Sequence, residues 1–433
     1  MIRKASALLA LTLAVLTAVS QVGAAGGTLL QNTAPARTSL RSIGPSAPFT
    51  AFATATNAEL AEGESYFSYQ WALKNDGELR QTGHKLNIRS LDKIYVSQNE
   101  NGDNVISLPP MGPSNYNTIS TKAWKGIDIN IQGAWDQYEQ AAVKRPVTVA
   151  VIDTGIDISH KDLSSSIWVN EDEIPGDGID NDNNGYIDDV NGWNFVGNNN
   201  QVYNGDEDSH GTHSAGTIAA AWDNAGITGI ADGNYVKLMS LKALGGNGGQ
   251  GSTESVMAAI RYAEANGAQI CNLSFGSTTC SEELSALIRD SKMLFVVAAG
   301  NGDQLEIGYN IDLFPVYPAS LPYDNIISVG NLLFNGRLDD TSNYGPTAVD
   351  IAAPGCYILS TIPDNSYAFM TGTSMAAPMV TGAAALIYSA RPDLSLTDVR
   401  TAIISTAHKL APLKGRMISS GMLDVTAAMN WGR

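Results

Sequence analysis

Three short motifs contain residue types from which a nucleophile and its base can be built. Asp153 directly follows an apolar run and opens Asp-Thr-Gly, His210 opens His-Gly-Thr-His-Ser-Ala-Gly, and Ser374 lies within Gly-Thr-Ser-Met-Ala-Ala-Pro. A serine hydroxyl near its ordinary pKa is a weak nucleophile and needs an adjacent base. Taken singly, each residue also has a structural explanation: an aspartate in a turn, a histidine at a helix start with Ser209 as N-cap, and a serine as N-cap.

Taken together and in this order, the three motifs resemble the signatures of the subtilase family, the subtilisin-like serine proteases. The likeness extends from about Gly126 to the C-terminus. It implies that Ser374 is the nucleophile, that His210 is its general base and later its general acid, and that Asp153 orients the imidazole and stabilises its cation. The implied activity is endopeptidase hydrolysis through an acyl-enzyme intermediate.

The same resemblance assigns two further residues. Asn301 ends the sequence Ala-Ala-Gly-Asn after an apolar run, which matches the family's oxyanion motif. Its side-chain amide is therefore expected to act with the backbone N–H of Ser374, although an asparagine in a turn is the ordinary alternative. His213 is expected to be a packed structural residue, because His-x-x-His lacks the glutamate and the third ligand of a hydrolytic zinc site.

The elements that must position these residues follow from an alternation of apolar runs and helix-length segments after Pro146. Buried parallel strands are predicted at 147–152, 236–241, 269–273, 294–299 and 326–329, and helices at 210–221, 252–265 and 282–291. This pattern predicts an α/β fold with a doubly wound, mostly parallel sheet flanked by helices. Sites in such sheets lie at the carboxyl ends of the strands.

A glycine-rich segment at 245–251 contains a literal Gly-x-Gly-x-x-Gly after a predicted strand. A dinucleotide site would require an acidic residue about 20 positions further on, whereas the next strand ends in Asn-Leu-Ser. The subtilase resemblance instead implies two backbone edges that bind an extended peptide by β-augmentation. The residues so assigned are Gly248, Gly249, Gly251, Ser274, Phe275 and Gly276.

The charge of the chain is concentrated in one region. Between Lys161 and Lys237 there are 14 acidic residues and no Lys or Arg. The segment from residue 180 matches positions 1, 3, 5, 6 and 9 of a calcium loop, but position 12 is Asn191 rather than a glutamate. One structural Ca²⁺ is predicted here, with a solvated acidic loop as the alternative. The predicted ligands are Asp180, Asp182, Asn184, Tyr186 and Asp188.

Composition limits the possible partners. The 433 residues include 43 acidic and 26 basic side chains, a formal net charge of −17, which argues against nucleic acid or an anionic membrane as a partner. We expect protein or peptide substrates and a monomeric enzyme. Three cysteines exclude a disulfide scaffold, and a Cys271–Cys280 pair stays open.

The amino-terminal region has the layout of an export signal. A basic start at residues 1–4 precedes an apolar run of about 15 residues, and small residues suit cleavage near Ala24 or Ala25. We therefore predict a signal peptide at 1–25 and a secreted protein, with no stable membrane insertion because no later apolar run approaches 20 residues. The remaining predicted parts are a linker or short pro-segment at 26–68, an extension of the catalytic domain at 69–131, and a peptidase domain at 132–433 with an acidic insert at 170–191.

Two other functions compete with the endopeptidase. An α/β-hydrolase esterase would use Ser374 with Asp393 or Asp398 and then His408, although the residues around Ser374 lack the final glycine of a nucleophile elbow. A secreted binding module without activity would not require the catalytic types at Asp153 and His210.

Overall fold

Buried β-branched runs form the centre of a large sheet in the computed structural model, which describes residues 49–51, 54–58, 65–81, 95–98, 104–107, 119–246, 249–303 and 305–433. The predicted signal peptide, most of the predicted linker, and Gly248 lie outside the described residues. The strands are Phe49–Ala51 (β1), Thr54–Ala58 (β2), Glu78–Gln81 (β3), Tyr95–Gln98 (β4), Asn104–Ser107 (β5), Ile119–Lys122 (β6), Val147–Asp153 (β7), Gly192–Asn194 (β8), Val236–Lys242 (β9), Gln250–Gly251 (β10), Ile270–Leu273 (β11), Phe275–Gly276 (β12), Leu294–Ala298 (β13), Ile326–Leu332 (β14), Ile351–Pro354 (β15), Ile358–Ile362 (β16), Ser366–Thr371 (β17), His408–Lys409 (β18) and Gly421–Met422 (β19).

Seven α-helices accompany these strands in the described part of the chain. They are Gln132–Gln140 (α1), Ser209–Ala219 (α2), Thr253–Ala265 (α3), Glu282–Asp290 (α4), Thr373–Ala390 (α5), Leu396–Ser405 (α6) and Val425–Met429 (α7). Short 3-10 turns lie at Phe67–Tyr69, Ser164–Ser166, Gly205–Asp208 and Ala411–Leu413.

The large sheet has nine strands in the order β18-β19-β15-β14-β13-β11-β7-β9-β8. Neighbouring strands run parallel from β19 to β8, and only the outermost pair, β18 and β19, is antiparallel. The chain proceeds from β7 to one side through β8 and β9, and then to the other side through β11 and β13. This reversal creates a crevice at the carboxyl ends of β7 and β11, which is where such sheets hold their sites.

The predicted α/β class is confirmed, and the predicted strands and helices form within a few residues of their expected ends. One cap was predicted wrongly. Ser209 is the first residue of α2 rather than its N-cap, which is Asp208. The Ser209 hydroxyl donates to the carbonyl of Asp206 at 2.7 Å and is therefore turned back toward the preceding 3-10 turn.

Helix α5 occupies the interior next to the sheet. All of its 18 residues except Tyr388 are buried, and most are small or apolar. Small residues allow the close approach that this requires: a Cβ built on Gly382 would lie 2.8 Å from the Cβ of Ile230. A helix that is apolar on every side belongs inside a protein, so α5 is a fixed support for whatever lies at its amino end.

The segment that begins at Gln70 is packed into the same core as the sheet. The Trp71 indole is 1% exposed, and its Nε1 donates to the carbonyl of Cys356 at 3.0 Å. The Gln70 side chain exchanges two hydrogen bonds of 2.9 Å with the backbone of Thr228. These contacts tie the start of the predicted extension to loops more than 150 residues away.

The amino-terminal strands β1 and β2 each join a small antiparallel sheet. Strand β1 lies between β10 and β12, and strand β2 pairs with β17, which itself pairs with β16. Two further hairpin-like pairs, β3 with β6 and β4 with β5, complete the described strands.

The three cysteines do not pair with one another. Cys271 and Cys356 are buried, and Cys280 is half-buried with a free thiol, so the Cys271–Cys280 pair that the sequence left open is not formed. Within the described ranges, no helix is both long enough and apolar enough to cross a bilayer.

Candidate active site

Asp153 and His210 meet at the carboxyl end of β7. Asp153 is the last residue of that strand and is fully buried, while His210 is the second residue of α2. The Nδ1 of His210 donates to Oδ1 of Asp153 at 2.7 Å, and the same oxygen accepts the backbone N–H of Thr154 at 2.7 Å. This arrangement fixes the ring so that Nε2 faces away from the carboxylate.

Glycine makes the approach of α2 to this strand end possible. A Cβ built on Gly211 would lie 2.2 Å from the carbonyl oxygen of Gly155, so no larger residue fits. Gly155 itself has a φ of 120°, which an L-residue rarely adopts. The N–H of Gly211 donates to the hydroxyl of Thr154 at 3.0 Å and closes the contact.

Ser374 lies at the start of α5, again as the second residue of a helix. It follows Gly372, whose φ of 154° turns the chain from β17 into the helix. The Ser374 Oγ donates to the carbonyl of Ser274 at 2.6 Å, and the Ser274 hydroxyl donates to the Ser374 carbonyl at 3.0 Å. The serine is therefore bound to the residue that directly follows β11.

Asn301 is oriented by the residue before Ser374. Its carboxamide oxygen accepts hydrogen bonds from the backbone N–H of Thr373 at 2.9 Å and from the Thr373 hydroxyl at 2.8 Å. Oδ1 and Nδ2 point in different directions from Cγ within one plane, so the Nδ2 donor is directed away from Thr373. Thr373 was missed by sequence reasoning, although it belongs to the same motif as Ser374.

A buried cation lies beneath the aspartate and was also missed. Lys242 is the register partner of Asp153 on β9, and its Nζ donates to Glu207 Oε1 at 2.8 Å and to Asp208 Oδ1. Burial raises the pKa of Asp208 to about 6, although the attraction of Lys242 opposes this shift. The signal in the sequence was weak: Lys242 is one of the first two cations after the long acidic region.

His213 takes no part in this arrangement. Its Nε2 lies 2.9 Å from the carbonyl of Ile358 and 3.2 Å from that of Ala368, so it donates to backbone oxygen. Complete burial lowers its pKa to about 3 and keeps the ring neutral. These contacts are those of a structural residue that connects α2 to the β16–β17 sheet.

The residues predicted to bind a peptide form two backbone edges with a strand between them. Gly251 and Gln250 pair with one side of β1, and Phe275 and Gly276 pair with its other side. Gly249 makes a turn through its N–H to the carbonyl of Gly246 at 3.0 Å. Ser274 precedes the second edge and contacts Ser374 as described.

Three carboxylates converge in the acidic insert. Oxygens of Glu173, Asp182 and Asp189 lie within 4.8 Å of one another, and Glu173 and Asp189 are buried. Asn170 donates from one amide nitrogen to Asp182 at 3.0 Å and to Asp189 at 3.1 Å. Of the five predicted calcium ligands, the structure places Asp182 in this group.

The other four predicted ligands lie around the group with internal partners. Asp180 accepts the N–H groups of Asn184 and Gly185 at 3.0 and 2.9 Å. The amide oxygen of Asn184 accepts the N–H of Tyr186 at 2.8 Å. Asp188 accepts N–H groups from the turn at 176–178, at 2.7 to 3.1 Å. Asn191, at loop position 12, donates to the carbonyl of Trp168 at 2.9 Å.

The esterase alternative does not agree with these positions. His408 is exposed on β18, the outermost strand of the sheet, six strands away from β7. Asp393 is paired with Arg391 at 2.6 Å, and Asp398 caps the start of α6 through Ser395. None of the three belongs to the crevice that holds Ser374.

An aspartate and a histidine joined by a hydrogen bond, together with a serine at a helix start, are the residue types of a serine hydrolase of the acyl-transfer class. Comparisons with known proteins assign the chain to one family within this class. The profile described as the subtilase family matches residues 144–421. The chain therefore belongs to the subtilase family of serine endopeptidases.

Individual relatives agree with this assignment. The chain is 35% identical over 289 residues to Subtilisin DY of Bacillus licheniformis, covering 65% of this chain and 90% of that protein. It is 37% identical over 308 residues to the major intracellular serine protease of Bacillus subtilis, covering 69% and 87%. It is 35% identical over 299 residues to Subtilisin-like protease 1 of Plasmodium berghei, covering 65% of this chain but only 49% of that protein. The chain thus spans about half the length of its Plasmodium relatives.

Proposed function

We propose that this protein is a secreted endopeptidase that hydrolyses peptide bonds in protein substrates through an acyl-enzyme intermediate. The observation that carries the proposal is the 2.7 Å hydrogen bond between His210 Nδ1 and the buried Asp153 carboxylate, next to the helix start that holds Ser374. A buried carboxylate that fixes Nδ1 as the protonated nitrogen leaves Nε2 as the base.

Ser374 and His210 carry the chemical steps in this proposal. The hydroxyl of Ser374 leaves its contact with the Ser274 carbonyl, gives its proton to Nε2 of His210 and attacks the scissile carbonyl carbon. The imidazolium then gives that proton to the departing amine, and a water molecule repeats the sequence to release the acid. Asp153 stabilises the imidazolium during both steps.

Asn301 and the N–H of Ser374 are the proposed donors to the oxyanion. The Thr373 hydrogen bonds hold the Asn301 amide in one orientation before substrate arrives. Such preorganised donors stabilise the charge that develops in the transition state and need no rearrangement as it forms.

The substrate is proposed to lie as an extended strand between two edges of the enzyme, Gly249–Gly251 and Ser274–Gly276. Support comes from the geometry of these edges, which already accommodate an antiparallel strand, β1, between them. Backbone pairing of this kind accepts many sequences, so we expect side-chain preference to come from the residues that flank the edges.

The acidic insert is proposed to hold one Ca²⁺ that stabilises the fold. The group formed by Glu173, Asp182 and Asp189 supplies hard oxygen ligands, the type that calcium prefers. Two of these carboxylates are buried, and no Lys or Arg occurs in the insert to compensate them. We therefore centre the proposed site on these three residues and keep Asp180, Asn184, Tyr186 and Asp188 as its surroundings. The ion would supply charge compensation and take no part in catalysis.

Secretion is proposed from the basic and apolar start of the chain alone. The test is fractionation of an expressing culture together with the mass of the exported protein. Loss of export after replacing residues 1–25 supports the proposal, and a protein retained in the cell with residues 1–25 intact contradicts it.

Active-site labelling tests the enzymatic proposal. A fluorophosphonate probe should label the wild-type protein at Ser374, and casein should be hydrolysed. Ser374→Ala should abolish both signals, and His210→Ala should abolish hydrolysis. Equal labelling of wild type and Ser374→Ala would refute the assignment of the nucleophile.

A further inference from the structure

Lys242 contacts both of the elements that carry the Asp153–His210 pair. It is 2% exposed and is the last residue of β9, in register with Asp153 at the end of β7. Its Nζ donates to the backbone carbonyl of Thr154, the residue that follows Asp153. The same nitrogen donates to Oδ1 of Asp208, two positions before His210. One buried ammonium group therefore joins the end of β7 to the start of α2.

Thr154 is the residue through which this contact reaches the aspartate. Its N–H donates to the Asp153 carboxylate at 2.7 Å, and its hydroxyl accepts the N–H of Gly211 at 3.0 Å. Its carbonyl accepts from Lys242. The three polar groups of Thr154 thus contact the carboxylate, the residue after His210, and the lysine. A displacement of the ammonium group would release the residue that orients Asp153.

Asp208 gives its carboxylate to Lys242 although it occupies the N-cap position of α2. An aspartate at an N-cap ordinarily accepts N–H groups of its own helix, but the Asp208 side chain makes no such bond. It accepts instead from Lys242 and from the N–H of Asn204. It also lies directly on the turn after β7, because a Cβ built on Gly155 would be 2.8 Å from its Cγ. This carboxylate therefore connects two elements rather than capping one of them.

Stability alone does not explain the ion pair of Lys242 with Asp208. Burying an ammonium group and a carboxylate carries a large desolvation cost, and an apolar side chain of similar volume is often at least as stabilising. An apolar side chain cannot, however, form directed bonds to a carbonyl and to two carboxylates at once. Glu207 supplies the second carboxylate, 2.8 Å from Nζ, and its side chain is 20% exposed. The geometry of these bonds is what the lysine adds.

We propose that Lys242 is a positioning residue: its ammonium group holds the start of α2 against the end of β7 and so sets the distance between His210 and Asp153. The inference rests on the proposed endopeptidase function and adds to it a residue that acts only through these two side chains. The 2.7 Å bond between His210 Nδ1 and Asp153 Oδ1 joins residues 57 positions apart, so it depends on how their elements are packed. A misplacement of about 1 Å at such a contact costs about 100-fold in rate.

Substrate binding is expected to be independent of the Lys242 side chain. The backbone of β9 is held by its pairing with β7, and the Asp153 carbonyl accepts the N–H groups of Ala243 and Leu244 at 3.0 Å. These bonds fix the chain that continues to the proposed peptide edge at Gly249–Gly251, whichever side chain position 242 carries. Loss of the ammonium group should therefore lower kcat and leave KM nearly unchanged.

The first test measures kcat and KM of full-length variants on a peptide substrate. Lys242→Met removes the ammonium group and keeps an unbranched side chain, and its kcat should fall by about 10- to 100-fold. Lys237→Met is the matched control on the same strand, because the Lys237 Nζ donates to the carbonyls of Ser165 and Gly233, at 2.6 and 2.8 Å. Its kcat should stay near that of the wild type. Equal kcat values for the two variants would overturn the proposal.

A double variant separates positioning from charge compensation. Lys242→Met alone leaves the buried Asp208 carboxylate without its cation, which is strongly destabilising. In Lys242→Met/Asp208→Asn one positive and one negative charge are lost together, so the net charge is unchanged and the fold should be kept. The bond from Thr154 to the start of α2 is still missing, so kcat should stay about 10- to 100-fold below that of the wild type. Recovery of the wild-type kcat in the double variant would overturn the proposal.

The ring proton of His210 gives a readout that needs no turnover and that a merely structural role would not move. A proton in a short hydrogen bond from an imidazole to a carboxylate resonates far downfield of the backbone amide protons, and the Nδ1–H of His210 forms such a bond with Asp153. In the double variant this NMR signal should move upfield or disappear through exchange with water, whereas Lys237→Met should keep it. An unshifted signal in the double variant would overturn the proposal.

Casein hydrolysis and fluorophosphonate labelling of the wild type separate this inference from the function on which it rests. If the wild type is active and labelled at Ser374, and the double variant matches it in kcat and in the His210 signal, the role of Lys242 is refuted and the endopeptidase stands. If the wild type is neither active nor labelled, the endopeptidase proposal fails, and the His210 signal of the double variant still decides whether Lys242 holds the Asp153–His210 pair.

Discussion

The proposed catalytic cluster, formed by Asp153, His210, Ser374 and Asn301, and the acidic insert both contain buried carboxylates, but they hold them by different means. In the cluster, Asp153 ends a central strand and is bound by His210, which lies 57 positions further along the chain. In the insert, the buried Glu173 accepts the backbone N–H groups of Asn181 and Asp188, which lie 8 and 15 positions away within the same insert.

These two ways of holding a carboxylate suit two different functions, catalysis and stabilisation of a loop. Carboxylates held by distant elements keep their place because the whole sheet keeps its place, which suits chemistry that tolerates little displacement. Carboxylates held by their own loop depend on that loop and on whatever compensates their charge. Changes in the cluster should therefore affect rate with little effect on stability, and changes in the insert should do the reverse.

The largest effect is expected from Ser374→Ala, which should lower kcat by about a millionfold, as is typical of subtilisin-type triads. The thermal midpoint should stay near that of the wild type, because the hydroxyl is small and α5 keeps its packing. Steady-state hydrolysis of a peptide substrate and calorimetry measure the two quantities. A large fall in the midpoint would mean that the cluster also holds the fold together.

A smaller loss of rate is expected for Asn301→Ala. Removal of one oxyanion donor should lower kcat by about 100- to 1000-fold, with little change in KM, since the donor acts mainly in the transition state. Thr373→Val keeps the backbone N–H to Asn301 but loses the hydroxyl donor, so its loss should be smaller. A larger loss for Thr373→Val than for Asn301→Ala would contradict the orienting role of Thr373.

Removal of calcium should lower the stability of the protein rather than its catalytic rate. At a calcium concentration about 100 times the dissociation constant, binding stabilises the native state by about 2.7 kcal/mol, so a chelator should lower the thermal midpoint. Asp182→Asn should reduce this response, whereas Asp172→Asn, an exposed carboxylate of the same insert, should not. If a chelator leaves the thermal midpoint unchanged, the insert does not hold a stabilising calcium ion.

The effect that is absent at neutral pH and develops only in acid concerns His213, which connects α2 to the β16–β17 sheet. Burial lowers its pKa to about 3 in the folded state. Its contribution to stability is therefore fully present above about pH 6.5 and is lost as pH falls toward 3. The stability difference between wild type and His213→Gln should shrink by about 1.4 kcal/mol per pH unit below 6.5.

His408→Gln is the matched control for that measurement, because His408 is exposed. Its difference from wild type should stay nearly constant over the same range in denaturant titrations. The pH dependence due to Asp208 has the opposite sign. Its pKa is raised to about 6, so its contribution to stability is present at pH values below the pKa of the unfolded state and is lost as pH rises through 6. A difference for His213→Gln that grows on acidification would contradict the assignment of a neutral ring.

Continuous apolar runs made most of the sheet predictable. The run that became β13 is buried at every residue, and such runs identify interior strands without any knowledge of their neighbours. The residue types proposed for catalysis stand out in the sequence because they lie in short motifs. The contacts of Lys242 and the register of β1 depend on partners more than 30 and more than 190 residues away, and such pairings leave no periodic trace in a sequence.

The acidic insert shows a second limit of prediction from sequence. A spacing pattern read from residue 180 cannot include Glu173, which precedes the loop, or give weight to Asp189, which falls between two pattern positions. The fold brings both to Asp182, with Tyr262 of α3 donating to Asp189 from outside the insert. Local spacing identified the region, and the tertiary contacts determined which carboxylates meet.

The unpaired cysteines give this protein a built-in attachment point for a spectroscopic probe. Cys271 and Cys356 are fully buried, and burial raises the pKa of both thiols, so neither forms the reactive thiolate readily. Cys280 is half-buried and lies four residues beyond Gly276 on the second peptide-binding edge. A maleimide fluorophore should therefore attach there first, and its emission would report changes at that edge without any substitution in the chain.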